Sequence, residues 1–314
     1  MKILITGACG FIGFHLSCAL LKDDFEVIGI DNFSDYYSTK LKKDRSKILN
    51  SYKKFSLIKK DISEIRSIKI PDIDCIINLA AQPGVRVTGN HYNQYFETNI
   101  NGFKTLLDFQ VESGIKNLIF ASSSSVYSGN SSKQHQESDL LEKPSSIYAA
   151  TKIFNEILAE DFHKKYNINA IGLRFFTVYG SWGRPDMAYF KFTDSILKNE
   201  KIKIFNSLSL SRDMTHISDV VIGIKSAIKY IHQSDNLYEI FNLGNTQKVT
   251  TRELIETISC NVGRTANFEI VKIENEVKST LASNLKSLRN LSYNPLLKFK
   301  EGYKEFYDWY KRYF

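Results

Sequence analysis

Short apolar segments alternate with segments of helical periodicity through the first half of the chain. Each apolar segment spans five to eight residues, and its Ile, Leu, Val and Phe residues are largely consecutive. This pattern is typical of strands buried on both faces of a parallel sheet. The predicted strands are 2–6, 25–30, 55–62, 75–80, 117–123 and 169–175. Helical periodicity predicts helices at 11–21, 91–113 and 147–166.

Beyond about residue 180 the predicted elements are shorter and mixed. Helices are predicted near 187–199, 217–232, 250–262 and 300–313, with strands at 202–205, 238–243 and 268–272. We therefore predict an α/β fold: a Rossmann-type doubly wound parallel sheet over 1–180, and a smaller C-terminal α/β lobe over 181–314. In such folds, ligands bind in a cleft at the carboxyl ends of the strands.

The composition narrows the class of protein. The chain has 314 residues, of which 43% are hydrophobic and 24% charged, as in globular domains rather than disordered chains. No segment reaches the roughly 18 consecutive apolar residues of a membrane-spanning helix. Thr6 and Gly7 interrupt the first apolar segment too early for a signal peptide. The four cysteines lack CxxC spacing, which suits free thiols in a reducing compartment, so we expect a cytoplasmic protein without a membrane partner.

The charge is basic, because 42 Lys and Arg face 34 Asp and Glu, giving +8. These residues are spread along the chain, with short clusters such as Lys40, Lys42 and Lys43. A solvated surface explains them most simply, and attraction of a small anionic substrate is the functional alternative. We expect no nucleic-acid partner. We also expect no metal site, because the six histidines and four cysteines show no ligand spacing.

A glycine-rich loop joins the first predicted strand to the first predicted helix. Gly7, Gly10 and Gly13 form a GxxGxxG pattern rather than the commoner GxGxxG. Such glycines allow a tight turn and close approach of a pyrophosphate, and the helix N-terminus adds N–H donors. The alternative is a plain strand-to-helix turn. Position at the start of a βαβ unit favours dinucleotide binding.

Two carboxylates follow predicted strands at the same edge. Asp31 ends the second strand, where an acid accepts hydrogen bonds from the adenosine ribose and repels a 2′-phosphate, so it favours NAD over NADP. Asp61 closes the third strand, and its carboxylate can accept from the adenine amino group. A turn-forming Asp is the alternative at both positions.

Candidate catalytic residues lie in a YxxxK pattern and a serine run. Tyr148 and Lys152 are at i and i+4, on one face of a predicted helix. A nearby ammonium favours the phenolate and so makes Tyr148 a better base. Ser122–Ser125 lie where the fifth strand ends, and a hydroxyl there can hold a sugar hydroxyl beside the tyrosine. The alternative for the YxxxK pattern is a Tyr-Lys pair on the surface, and the alternative for the serine run is a hydrophilic turn.

Taken together, these motifs resemble the extended short-chain dehydrogenase/reductase family over essentially the whole chain. The supporting residues also include Asn78–Ala81 and Asn99. Three segments are similar to those of UDP-glucuronate 4-epimerases: 80–86 (AAQPGVR), 173–188 (LRFFTVYGSWGRPDMA) and 212–219 (RDMTHISD). Cys9, Ser128 and Ser181 depart from the usual pattern, but these positions lie in loops.

The resemblance implies tightly held NAD and 4-epimerisation of a UDP-sugar, most of all UDP-glucuronate to UDP-galacturonate. The reaction would pass through a 4-keto sugar, with hydride returned to the opposite face. Tyr148 would be the base, Ser123 would hold the sugar 4-hydroxyl, and Lys152 would bind the nicotinamide ribose. The residues assigned to the cofactor are Gly7, Gly10, Phe11, Ile12, Gly13, Asp31, Asn32, Asp61, Ile62, Leu79, Ala80, Ala81, Asn99, Ser122, Tyr148 and Lys152.

The substrate residues are also carried by the resemblance, and the C-terminal lobe would hold the nucleotide sugar. They are Gln82, Arg86, Ser123, Ser124, Ser125, Thr177, Arg184, Met187, Phe205 and Arg212. Hydroxyls and Arg184 suit a sugar carboxylate, Arg212 and Arg86 suit the diphosphate, and Phe205 can stack on uracil or simply belong to the core. A homodimer through helices 91–113 and 147–166 is expected by analogy.

Other activities stay open on the sequence alone. The same scaffold can epimerise UDP-N-acetylhexosamines or their uronates, or decarboxylate UDP-glucuronate. Dehydration is disfavoured because Ser124 and Ser125 occupy the positions where dehydratases carry an Asp-Glu pair. A non-catalytic NAD-binding sensor is the alternative of a different class, and the Ser123, Tyr148 and Lys152 trio argues against it.

Overall fold

The computed structural model describes residues 1–85, 91–127, 134–141, 143–273 and 279–314. Its strands are β1 (Lys2–Thr6), β2 (Glu26–Ile30), β3 (Phe55–Ile58), β4 (Cys75–Asn78), β5 (Asn117–Ser123), β6 (Asn169–Phe175), β7 (Thr177–Tyr179), β8 (Ile202–Phe205), β9 (Ser211–His216), β10 (Tyr238–Leu243), β11 (Lys248–Thr250) and β12 (Phe268–Val271). Its α-helices are α1 (Phe11–Lys22), α2 (Thr39–Leu49), α3 (Gln94–Phe96), α4 (Phe103–Glu112), α5 (Ile147–Tyr166), α6 (Ala188–Leu197), α7 (Ile217–His232), α8 (Thr251–Val262), α9 (Leu285–Leu291) and α10 (Phe299–Tyr313).

Seven parallel strands form the central sheet in the order β10-β6-β5-β4-β1-β2-β3. Alternate residues of β1 face opposite layers of helices, since Ile3 and Ile5 belong to one apolar cluster and Leu4 to the other. Both faces are therefore covered, which confirms the predicted doubly wound α/β fold. The strand order reverses beside β1, and the carboxyl ends of β1, β2 and β4 meet there.

A smaller assembly packs beyond this edge. It contains the sheets β11-β9-β7 and β12-β8, with α6, α8 and α10 around them. Its core is aromatic, and the rings of Tyr189 and Phe306 meet edge-on with centroids 4.8 Å apart. β10 lies in the central sheet although it follows residue 180, so the chain returns to the first layer after entering the lobe. The domain boundary near residue 180 stays a prediction.

The structure differs from the predicted elements in several places. α2, α9, β7, β9 and β11 have no predicted counterpart, and β3 ends at Ile58 because Asp61 caps a 3₁₀ helix at Ile62–Ser67. The predicted helix 91–113 is α3, a π-helical segment at Glu97–Gly102, and α4. Within the described part of the chain, none of the helices has the length and apolarity needed to span a membrane.

Candidate active site

One cleft of about 970 Å³ runs along the carboxyl ends of the central strands and under the lobe. Every described residue that the sequence assigns to cofactor or substrate lines this cleft, with the exception of Asn99. Arg86 lies outside the described residues, as does Ser128. The cleft therefore brings together residues that are spread from Gly7 to Arg212 in the sequence.

The glycine loop forms one end of the cleft. Gly7 has a positive φ of 68°, and a Cβ there would lie 2.9 Å from the backbone nitrogen of Ala80. A Cβ on Gly13 would lie 2.2 Å from the carbonyl oxygen of Gly7. α1 begins at Phe11 without a side-chain cap, so its first N–H groups face the cleft. Only glycines permit this turn, and they leave a cradle of N–H donors that suits a pyrophosphate.

Asp31 stands beside this loop at the end of β2. Its two carboxylate oxygens accept hydrogen bonds from the backbone N–H groups of Cys9 (2.9 Å) and Phe33 (2.8 Å). The carboxylate is thereby fixed at the rim of the cleft, with further lone pairs available for ribose hydroxyls.

Asp61 has a structural role that is visible without any ligand. It caps the 3₁₀ helix through Ser63, and it accepts a 2.7 Å hydrogen bond from the Asn32 side chain. Burial opposes the charge, but hydrogen bonds from Ser63 and Asn32 hold the pKa of Asp61 below its ordinary value. Asp61, Asn32 and Ile62 line the cleft, so the adenine contact stays a prediction alongside the capping role.

The proposed catalytic groups lie together in the middle of the cleft. The Lys152 ammonium is 5.7 Å from the centre of the Tyr148 ring and donates to the Ala121 carbonyl at 2.9 Å. Burial raises the pKa of Tyr148, and the positive charge of Arg184 and a hydrogen bond with Ser123 partly offset this rise. Burial lowers the pKa of Lys152 to about 8, against the attraction of Glu156. Burial dominates, so the pKa of Tyr148 is raised overall, and Arg184 and Ser123 are the groups that favour its ionisation.

A buried ion pair between Glu156 and Arg174 holds the helix that carries Tyr148 and Lys152 in place. Glu156 of α5 accepts two hydrogen bonds from Arg174 of β6, at 2.9 and 2.7 Å, and a third from Ser122. Arg174 also donates to the Tyr127 hydroxyl at 2.8 Å. The pair thus ties α5, which carries Tyr148, to two central strands, β5 and β6. Removing one partner of such a pair leaves a buried charge and is strongly destabilising.

Arg184 reaches the cleft from the loop before α6. Its guanidinium binds the Asp186 carboxylate in a fork, with the Nε atom 3.0 Å from one oxygen. Burial opposes the charge, but Asp186 raises the pKa of Arg184 above its ordinary value. The Tyr36 hydroxyl donates to Asp186 at 3.4 Å. Asp186 thus occupies the Nε/Nη2 side of the guanidinium and orients it, which leaves the Nη1/Nη2 edge as the one that could bind a ligand carboxylate.

Basic and aromatic residues extend the cleft into the lobe. Arg212 lies on β9, where its guanidinium donates to the Ser211 carbonyl at 2.8 Å, and Phe205 lies at the end of β8. Lys42, Lys60 and Lys191 line the same cleft. These cationic side chains place positive charge along the cleft, which would attract a diphosphate.

Asn99 is the exception among the predicted contacts. It is buried in the π-helical segment, where its amide accepts from the Gln82 backbone N–H at 2.7 Å and donates to the Thr151 hydroxyl at 3.1 Å. The cofactor contact of Asn99 stays a prediction, and the structure shows that Asn99 links the 80–84 segment to α5. In this place Asn99 positions its neighbours.

The sequence prediction missed several residues of the site. The unexpected lining residues include Tyr36, Tyr37, Lys42, Asp186 and Lys191. A periodic signal was present in α2, because Leu41, Arg45 and Leu49 recur at intervals of four. Their charged neighbours suggested a solvated surface instead, yet Lys42 and Arg45 are buried.

No metal-binding cluster of His, Cys, Asp and Glu occurs in the part of the chain that the structure describes. All four cysteines are free thiols. Cys9 lies inside the glycine loop, where burial and then Asp31 raise its pKa to about 12. Its thiol is thus held neutral.

Residues 3–244 match the model of the NAD dependent epimerase/dehydratase family. This chain therefore belongs to that family. Protein CapI of Staphylococcus aureus is 38% identical over 100% of this chain and 99% of its own. UDP-glucuronate 4-epimerase 4 of Arabidopsis thaliana is 37% identical over 100% of this chain and 76% of its own.

A solved structure is similar over the full length of both chains. It is the UDP-glucuronic acid 4-epimerase from Bacillus cereus in complex with UDP-glucuronic acid and NAD, with 34% identity, a TM-score of 0.92 and 100% coverage of each chain. The family, the fold and the cofactor class suggested by the sequence motifs are thus confirmed.

Proposed function

We propose that this chain is an isomerase that converts UDP-glucuronate into UDP-galacturonate by inverting C4. One observation carries the proposal: Arg184 lies in the same cleft as Ser123, Tyr148 and Lys152, near enough for its charge to affect the phenol. A guanidinium fork beside a tyrosine base suits a sugar that carries a carboxylate next to its reacting carbon. The similar enzymes of Bacillus cereus and Arabidopsis thaliana support it.

The cleft fits NAD. Glycines at 7, 10 and 13 leave no room for side chains, and the uncapped start of α1 offers N–H donors. Asp31 follows β2, where dinucleotide-binding folds carry the acid that binds the adenosine ribose. When bound, NAD supplies reversible hydride acceptance at the sugar C4. An acidic ribose site disfavours a 2′-phosphate, so NAD is expected rather than NADP.

Tyr148 is the proton-transfer group. We assign the proton of the sugar 4-hydroxyl to its phenolate oxygen, with Ser123 holding the same hydroxyl by a hydrogen bond. Lys152 stabilises the phenolate electrostatically and offers its ammonium to the nicotinamide ribose. The proton returns from Tyr148 to the sugar oxygen at the end of the reaction. No net redox change would occur, because the hydride that left C4 would return to the opposite face of the same carbon.

The carboxylate sets a second demand on the site. A 4-keto uronic acid is a β-keto acid and can lose CO₂. We propose that Arg184, Thr177 and the hydroxyls of Ser124 and Ser125 hold the carboxylate. Hydrogen bonds to the charged form stabilise the carboxylate and so oppose decarboxylation.

The test is an NMR assay of the purified protein with UDP-glucuronate and no added cofactor. We expect new anomeric signals of UDP-galacturonate, which requires both epimerisation and retained NAD. UDP-glucose, UDP-N-acetylglucosamine and UDP-N-acetylglucosaminuronate are the comparison substrates. Turnover of one of these alone would move the assignment to another UDP-sugar. A UDP-pentose product would indicate decarboxylation, and NAD retention without any turnover would favour the sensor.

We also propose a homodimer through α3–α4 and α5, the helices predicted for this role. These helices pack against each other and leave large apolar side chains exposed, including Phe96, Phe154 and Ile157. Sedimentation of the wild type and of Ile157→Lys tests this: the dimer should dissociate in the variant, and a monomeric wild type would contradict it. The free thiols suit a reducing compartment such as the cytoplasm.

A further inference from the structure

Arg45 is completely buried, although it lies on the charged helix α2. Within the described ranges of the chain, no carboxylate forms an ion pair with it. Its Nη1 atom donates to the Cys9 carbonyl at 2.9 Å and to the Tyr37 hydroxyl at 2.8 Å. Its Nη2 atom donates to the carbonyls of Trp182 and Gly183, the latter at 3.4 Å. A buried guanidinium is therefore held almost entirely by backbone carbonyls.

The carbonyls that Arg45 binds belong to two separate parts of the cleft. Cys9 lies between Gly7 and Gly10 of the glycine loop. Trp182 and Gly183 come immediately before Arg184. One side chain thus joins the proposed cofactor loop to the segment that carries the proposed carboxylate-binding residue.

The segment before Arg184 needs such support. Trp182 has a φ of 56°, in the left-handed region that a bulky residue rarely adopts. His15 of α1 binds the carbonyl of Ser181 at 2.8 Å, and the Trp182 ring packs 5.4 Å from that of Phe14. Consecutive carbonyls at 181–183 are therefore bound by side chains from the two helices beside the glycine loop.

We propose that Arg45 is a positioning residue that couples the glycine loop to Arg184 and so sets the selectivity for a sugar carboxylate. The role in selectivity rests on the proposed function, whereas the coupling between the two loops does not. A planar fork can bind the two loops at once, whereas the single ammonium of a lysine cannot reproduce that geometry. The role is therefore specific to arginine and not to positive charge.

The test compares Arg45→Lys with Lys43→Met, which removes an exposed charge from the same helix. Titration calorimetry of the NAD-loaded proteins measures affinity for UDP-glucuronate and for UDP, and a cofactor assay measures the rate of NAD release. In Arg45→Lys we expect affinity for UDP-glucuronate to fall about tenfold, with UDP unchanged and NAD released faster. Lys43→Met should match the wild type.

Unchanged binding of UDP-glucuronate in Arg45→Lys would overturn the selectivity role, as would equal losses for UDP and UDP-glucuronate. If the wild type does not convert UDP-glucuronate into UDP-galacturonate, the proposed function fails. The rate of NAD release then tests the coupling between the glycine loop and the segment before Arg184. Equal release rates in Arg45→Lys and Lys43→Met would overturn that coupling. If Arg45→Lys does not fold, Tyr37→Phe replaces it: a smaller selectivity loss, about threefold, supports the role, and none overturns it.

Discussion

The two ends of the cleft are built in different ways. At the cofactor end, backbone geometry dominates, because glycines permit contacts that any side chain would block and Asp31 is held by backbone N–H groups. At the sugar end, side-chain charges dominate, because Arg184 is oriented by Asp186 and its loop is held by Arg45. The first end consists of neighbouring loops of one sheet edge, whereas the second joins residues that lie far apart in the sequence.

This difference separates binding from selectivity. A backbone cradle tolerates few substitutions and recognises a phosphate shared by many ligands. A charged fork discriminates between ligands that differ by one carboxylate, and single side chains can change it. Changes at the cofactor end should therefore affect all substrates alike, while changes at the sugar end should alter their ranking.

Tyr148→Phe should have the largest effect on turnover, because the cofactor end and the sugar end of the cleft meet at this proton-transfer group. We expect turnover to fall by roughly a thousandfold, because the proton acceptor is lost while the ring remains. Assays of turnover and of NAD content in the purified variant test this. NAD should stay bound. Activity near that of the wild type would remove Tyr148 from the mechanism.

Gly13→Ala should break the cofactor end alone. Its Cβ would lie 2.2 Å from the Gly7 carbonyl oxygen, so the loop would have to shift. We expect purified protein that has lost most of its NAD, with turnover of every UDP-sugar reduced equally. Gly114→Ala is the control, because a Cβ on Gly114 would meet nothing within 4 Å, although its positive φ of 66° strains the substitution. The control should lose only about 1 kcal/mol of stability and keep its NAD; full NAD retention by Gly13→Ala would contradict the cradle.

The fold was largely predictable from the sequence, and the sugar end was not. Consecutive apolar residues at the centres of β1, β4 and β5 identify buried parallel strands, because burial on both faces leaves no alternating polar positions there. The glycine loop is also local in sequence. α2 was missed because Leu41 and Leu49 are the only apolar residues on its buried face, which is a weak periodic signal. Lys42 and Arg45 are buried through hydrogen bonds, which hydrophobic periodicity does not report. The pairing of Tyr36 with Asp186 depends on tertiary packing and has no sequence signature.

Arg184→Met should change selectivity more than overall binding. Loss of the fork should lower kcat/KM for UDP-glucuronate about tenfold or more, in line with a charge-assisted hydrogen-bonded pair. A neutral UDP-hexose should be affected less. The ratio of the two kcat/KM values is the measurement, and Lys43→Met serves as the control for loss of one positive charge. Equal losses on both sugars would remove Arg184 from carboxylate recognition.

The smallest effect on the chemistry of the cleft is expected from His15, which changes the pH dependence of stability rather than turnover. Burial lowers the pKa of His15 to about 4, so the folded protein binds fewer protons than the unfolded chain between pH 6.5 and 4. Stability should therefore fall as the pH falls through this window, by about 2 kcal/mol for this partly exposed group. His15→Gln keeps a donor for the Ser181 carbonyl but does not titrate. Denaturant unfolding at pH 7 and pH 4.5 should show a weaker pH dependence in the variant, and an unchanged dependence would contradict the assignment.

The most direct test of the account follows deuterium at C4 of UDP-glucuronate. The NAD-loaded protein is incubated with UDP-[4-²H]glucuronate in ordinary water, and the product is analysed by NMR and mass spectrometry. We predict UDP-galacturonate that keeps the deuterium at C4, because the same hydride is returned within one closed site. UDP-galacturonate with hydrogen at C4 would show exchange with solvent and would contradict the account.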